Sequence, residues 1–204
     1  MACKTIKLDA SFEKEAKNLK ILKQSLRKSE SVFRHYAVIK HGLNSYVLMP
    51  YAKLGDLWQF LNGGEDPGGD RYYDFPKRFP RLIPENRAEQ LIIQCWSIAD
   101  ALVWLHGDIT LPEKGKVPCA HMDLKPNNIL IDEDNRSCVG KWKISDFGLS
   151  VIDETSEFVT VRDYVSQVSM NTRPKRIEGT YTAPEVKLAG GRKEKGVGLR
   201  SDVW

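Results

Sequence analysis

Paired cysteines are missing from this chain. Its four cysteines, Cys3, Cys95, Cys119 and Cys138, lack C-x-x-C spacing, which argues against a disulfide framework and reads as free thiols of a cytoplasmic or nuclear protein. No stretch approaches the roughly 18 apolar residues of a membrane span, and the N-terminus MACKTIKLDA has no apolar signal core. The expectation is a soluble intracellular protein with no membrane partner. One-signed charge is also scarce: 31 Lys+Arg stand against 27 Asp+Glu, a net +4 scattered along the chain. Such a pattern is a solvated surface, and no nucleic-acid partner is expected. Neither an internal repeat nor a low-complexity tract is present, and nothing in the pattern fixes an oligomeric state.

What is there is an alternation of short apolar runs and amphipathic stretches. Residues 2–8 read as a strand, and 11–25 as a helix with Phe12, Ala16, Leu19 and Leu22 at helical spacing and Ser11 as its N-cap. A second strand, 46–49, ends at Pro50, which cannot donate to a continuing ladder. A helix over 57–61 stops at Gly63-Gly64, and 63–84, rich in Gly, Pro, Asp and Arg, reads as a surface insertion. From 86 to 106 the residues Leu91, Ile92, Ile98, Ala99, Leu102 and Leu105 predict a long buried helix, and 108–118 a loop. Strands over 129–131 and 142–144 form a hairpin around a polar loop, whereas 150–178 has little periodicity.

Three motifs follow one another in fixed order: His121-Met122-Asp123-Leu124-Lys125-Pro126-Asn127-Asn128, then Asp146-Phe147-Gly148, then Ala183-Pro184-Glu185. Together they match an acid and metal ligands set around a transferring phosphoryl group. On these motifs the chain resembles a eukaryotic-type Ser/Thr protein kinase from Ala2 to Trp204, with a likeness to divergent fungal kinases. The resemblance implies an α+β, two-lobed fold that is incomplete. Residues 1–49 would be part of a small β lobe with its helix, 50–53 the hinge, and 54–204 part of a mainly helical lobe with an activation segment over 146–185.

It also implies roles. Asp123 would accept or orient the proton of a Ser/Thr hydroxyl on a protein substrate, and Lys125 would reach the transferred phosphoryl group. Asn128 and Asp146 would hold Mg2+ against ATP, since a hard cation takes oxygen ligands and substrate phosphates. Phe147 would pack into the core and Gly148 would let the backbone turn. Lys4 would contact ATP and pair with Glu15, with Lys7 a competing lysine and Glu13 a competing acid. Met49 would guard the back of the nucleotide pocket, the backbone of Pro50 and Ala52 would meet the adenine edge, and Asp56 the ribose. Asp202 would brace the catalytic loop.

Departures from the family pattern matter equally. Met122 stands where an arginine usually pairs with a phosphorylated activation segment, so phosphates on Thr155, Ser156, Thr160 or Thr172 should couple weakly to catalysis. Only three residues precede Lys4, leaving no upstream Gly-rich phosphate loop, and no arginine follows to pair with Glu185. The expectation is therefore a kinase domain shortened at both ends, whose activity belongs to a longer form of the chain. Two alternatives stay open. One is a pseudokinase or regulatory fragment that binds partners; the other is a kinase-like small-molecule phosphotransferase, against which Ala183-Pro184-Glu185 and Asp202 argue.

Overall fold

The structure is a computed structural model that describes residues 1–7, 10–42, 44–63, 73–152, 181 and 202. β1 (Ala2–Lys7), β2 (Ala37–His41) and β3 (Asn44–Met49) form an antiparallel sheet in the order β1-β3-β2, with Lys4 opposite Val47 and Ala2 opposite Met49. Directly opposed residues share a face, so Lys4, Val47 and Met49 are presented together. β2 was not expected from the sequence; it turns into β3 at Gly42, whose φ of 59° suits glycine.

α1 (Ala10–Gln24) lies between β1 and β2 in the chain. It begins one residue before the expected start, so Ser11 falls inside the first turn and is not its cap. Phe12, Glu15, Asn18, Leu19 and Leu22 recur at three- and four-residue spacing and are all buried, which makes one face of the helix a wall of the core.

α2 (Leu57–Leu61) starts at Asp56, whose carboxylate accepts from the Gln59 amide at 2.9 Å while the Gln59 side chain accepts from the Asp56 amide at 3.2 Å. The 63–84 stretch is not simply a surface insertion. It contains α3 (Phe75–Arg78), and Tyr73 and Phe79 are buried. Phe60 gathers Phe75, Phe79 and Trp142 with ring centroids 5.4, 4.9 and 6.0 Å away, an aromatic payload that outweighs the local Gly/Pro signal.

α4 (Pro84–Gly107) buries Gln94, Ile98, Ala101, Trp104 and Leu105. Of the expected apolar face, Ile98 and Leu105 are buried and Leu91 and Leu102 pack against the core, whereas Ile92, 67% exposed, and Ala99 lie off the buried stripe. Instead of a bare loop, β4 (Thr110–Leu111) and β5 (Gly115–Lys116) make a short hairpin, after which β6 (Cys119–Ala120) leads into the 121–128 stretch.

β7 (Ile129–Asp132) and β8 (Lys141–Ile144) form the expected hairpin. Gly140, with φ 70°, closes it where a Cβ would lie 2.6 Å from the Asp132 carbonyl. β9 (Val151–Ile152) pairs with β6. Among the described residues no helix is long and apolar enough to cross a membrane.

Candidate active site

Two clusters flank one cleft. On the sheet side, Lys4 Nζ donates to Glu15 Oε1 at 2.9 Å and to Asp146 Oδ1 at 3.0 Å. β1 sets the lysine, the buried face of α1 sets Glu15, and the turn after β8 sets Asp146. Glu13 does otherwise: it meets Lys40 at 2.6 Å on the surface. The competition between Lys4 and Lys7 is answered by contact only on the Lys4 side, since nothing is described of the Lys7 side chain.

Electrostatics follow from this geometry. Burial pulls the Lys4 ammonium down, but Asp146 and Glu15 together outweigh it and leave the group above its usual 10.5. For Glu15, burial dominates over the Lys4 bond and raises the acid above 4.5. Burial would raise Asp146 as well, yet the charge and hydrogen bond of Lys4, aided by the Gly148 amide, hold its carboxyl below 3.8. Asp146 therefore stays ionised at neutral pH.

On the other side, Asn128 Nδ2 donates to the Asp123 carbonyl at 2.7 Å and to Asp123 Oδ2 at 2.9 Å, and Lys125 Nζ donates to Oδ2 at 2.9 Å. The 3-10 turn Pro126–Asn128 brings Asn128 back over Asp123, five residues earlier. With its amide nitrogen committed, Asn128 keeps its side-chain oxygen for a cation. Ser145 closes the gap between the clusters, its amide and hydroxyl donating to the Asn128 carbonyl at 2.8 and 3.0 Å.

Beneath lies a buried frame. The Asp202 carboxylate accepts from the amides of His121 at 2.6 Å and Met122 at 2.7 Å, and sits 3.0 Å from His106 Nε2. Met122 has φ 67°, a left-handed conformation that a non-glycine residue keeps only when its surroundings hold it. His121 Nδ1 accepts from the Asp123 amide at 3.3 Å, and Nε2 donates to the Ser145 carbonyl at 2.9 Å. Those two bonds select the Nε2–H tautomer.

Phe147 is buried against His121, ring centroids 5.1 Å apart. The chain bends at Gly148; the left-handed residue is Asp146, φ 63°, and a Cβ at Gly148 would stand 3.3 Å from both Asp146 Oδ1 and Glu15 Oε2, so the small residue also leaves room for the two acids.

The cleft beside Lys4, about 200 Å³, is lined by Glu15, Val47, Met49, Asn128 and Asp146 among others. A neighbouring cavity of about 330 Å³ is lined by Met49, Pro50, Ala52, Asp56 and also Tyr73 and Arg78. Asp56 serves first as the α2 cap. The Ala183-Pro184-Glu185 motif and the candidate phosphorylation positions Thr155, Ser156, Thr160 and Thr172 lie outside the described residues. Sequence reading missed Asn18, which donates to the carbonyls of Phe147 and Ser150 at 3.0 and 2.9 Å, and His106. Asn18 had a legible signal, one turn after Glu15 on the same face.

The family described as protein kinase domain matches residues 1–204. The chain is 25% identical over 207 residues to serine/threonine-protein kinase 4 homolog B of Dictyostelium discoideum, covering 100% of this chain and 14% of that protein. It is 28% identical over 200 residues to serine/threonine-protein kinase PKH2 of Saccharomyces cerevisiae, covering 94% and 14%. With CBL-interacting protein kinase 4 of Oryza sativa subsp. japonica it shares 30% over 175 residues, covering 85% and 28%. This chain belongs to the protein kinase domain family. It spans between 14% and 28% of the length of these relatives, and the fungal likeness is one among several.

Proposed function

We propose that the chain transfers the γ-phosphoryl group of ATP to Ser/Thr hydroxyls of protein substrates, with Mg2+. The observation that carries this reading is the meeting of Lys4 with both Glu15 and Asp146, at 2.9 and 3.0 Å, across from an Asp123 held by Asn128 and Lys125. Residues 50–53 would then be the hinge and 146–185 the activation segment. Such a site works by placement and charge rather than covalent chemistry.

The donor set fits the cofactors. Asp146, ionised, and the Asn128 amide oxygen supply hard oxygen ligands of the kind Mg2+ takes alongside phosphates. When bound, the metal neutralises charge on the transferring group. Lys4, fixed by two acids, would present its ammonium to the nucleotide phosphates. Asp123, its carboxylate oriented by the Asn128 amide and the Lys125 ammonium, would take the hydrogen bond of the incoming hydroxyl. Lys125 would then leave Asp123 for the phosphoryl oxygens. Four free cysteines support an intracellular setting.

A second reading, binding without turnover, is favoured by Met122, which cannot pair with a phosphate. The test couples a thermal shift with ADP–Mg2+ to a transfer assay on a Ser/Thr peptide. Nucleotide stabilisation lost in Lys4→Met, together with transfer that falls at least about 100-fold in Asp123→Asn, supports the catalytic reading. Stabilisation without any transfer would leave the binding reading in its place.

A further inference from the structure

A separate cavity of about 210 Å³ lies between the C-terminal half of α1, the 28–35 segment and Trp104 of α4. Its wall is apolar where Leu19, Leu22, Val32 and Phe33 face Trp104. The rest of its lining is basic, Lys23, Lys28, Arg34 and His35, with Ser29 as the one hydroxyl and no carboxylate among the described residues. Trp104 is only 8% exposed, and its indole Nε1 is buried without an acceptor among the described residues.

The cations around it have carbonyls for company. Lys23 donates to the Tyr36 carbonyl at 2.8 Å, and Lys28 to the Leu22 carbonyl at 3.3 Å and to the Lys23 carbonyl. Glu30, whose carboxylate feels Arg34 only weakly, is bonded to Lys141. Burial and then Arg34 push the Lys28 ammonium down, and burial and then Lys23 push the His35 imidazole down. A positive field of this kind in a half-closed space favours an anion.

We propose that this cavity binds a small carboxylate with an apolar body, its carboxylate met by Lys23 and Arg34, its body packed on Leu22, Val32, Phe33 and the Trp104 ring. A bare inorganic anion would leave the apolar wall against water. The cavity shares Leu19, Phe33, Arg34 and His35 with the Lys4 cleft, so an occupant would bear on that cleft and on the helix that carries Glu15. This site does not depend on the phosphotransfer reading.

Titration of the full chain with octanoate, followed at the indole NMR signal that Trp104→Phe removes, tests it. The expected result is a saturable shift of that signal at or below about 1 mM. 1-Octanol and inorganic phosphate should each bind about tenfold or more weakly, and Lys23→Glu should weaken octanoate by a similar factor. Arg34→Gln, at an exposed position, serves the same purpose should Lys23→Glu fail to fold. A linear, unsaturable response, equal affinity for octanol or for phosphate, or indifference to the charge variant that folds would overturn the proposal.

Discussion

The two halves of the candidate site are held together in opposite ways. Around Lys4 the groups are ionic and half-open, with Lys4 and Asp146 side chains 36% and 41% exposed. Just before Asp123, the His121 and Met122 amides are fixed to one carboxylate, Asp202, which is 2% exposed. Exposed ion pairs contribute about 0–1 kcal/mol, whereas bonds to a buried charge contribute about 1.5–3 kcal/mol each. The lesson is a division of labour: the Asp123 half is fixed by buried bonds, and the Lys4 half by charges that stay partly open to solvent.

Removing the buried anchor should have the largest effect. Asp202→Ala strands the His121 and Met122 amides and releases the left-handed turn at Met122, so urea unfolding should show a loss of about 3–5 kcal/mol. A loss under about 1 kcal/mol would mean that the two halves are held alike.

Next is the tether that spans the halves. Asn18→Ala leaves the Phe147 and Ser150 carbonyls without their donor, and the expected loss is about 1–3 kcal/mol by the same measurement. Native-state hydrogen exchange should quicken around 147–150 before it does in the catalytic loop.

The smallest stability change belongs to Lys4→Met, within about 1 kcal/mol at neutral pH. Its pH dependence sharpens the contrast. Because the folded Lys4 titrates above 10.5, the stabilisation it gives is fully present below pH 10.5 and is lost as pH rises through the folded value. Asp146, held below 3.8, contributes stability present above pH 3.8 and lost on acidification through its folded value. Glu15, raised above 4.5, acts the other way, favouring the folded state as pH falls toward that range. Thermal melts of wild type and Lys4→Met should therefore converge above pH 10.5. Curves that stay parallel there would mean that Lys4 makes no stabilising ion pair.

The sequence made the motif residues legible because phosphoryl transfer restricts residue type and spacing: Asp123, Lys125, Asn128 and Asp146 stand together as their order implied. Lys4 and Glu15 were harder, since a lysine on a strand and a glutamate on a helix carry no local signature; only the sheet register and the turn at Asp146 bring them together. β2 was missed because its exposed, mixed-polarity pattern has no clean alternation. The 73–79 aromatics were hidden by their Gly- and Pro-rich surroundings, and the place of Gln94 on the buried face of α4 by its polarity, since it turns inward to accept from the Trp142 amide at 3.0 Å. The bend at Gly148 was legible, but the closeness of Asp146 and Glu15 to that position is something no one-dimensional pattern displays.

The most direct measurement is phosphoamino-acid analysis of a protein substrate incubated with the chain, ATP and Mg2+, with Asp123→Asn alongside. The account predicts phosphoserine and phosphothreonine from the native chain and at least about 100-fold less from the variant. Product undiminished in Asp123→Asn, or no product from the native chain under any nucleotide and metal condition, would contradict it.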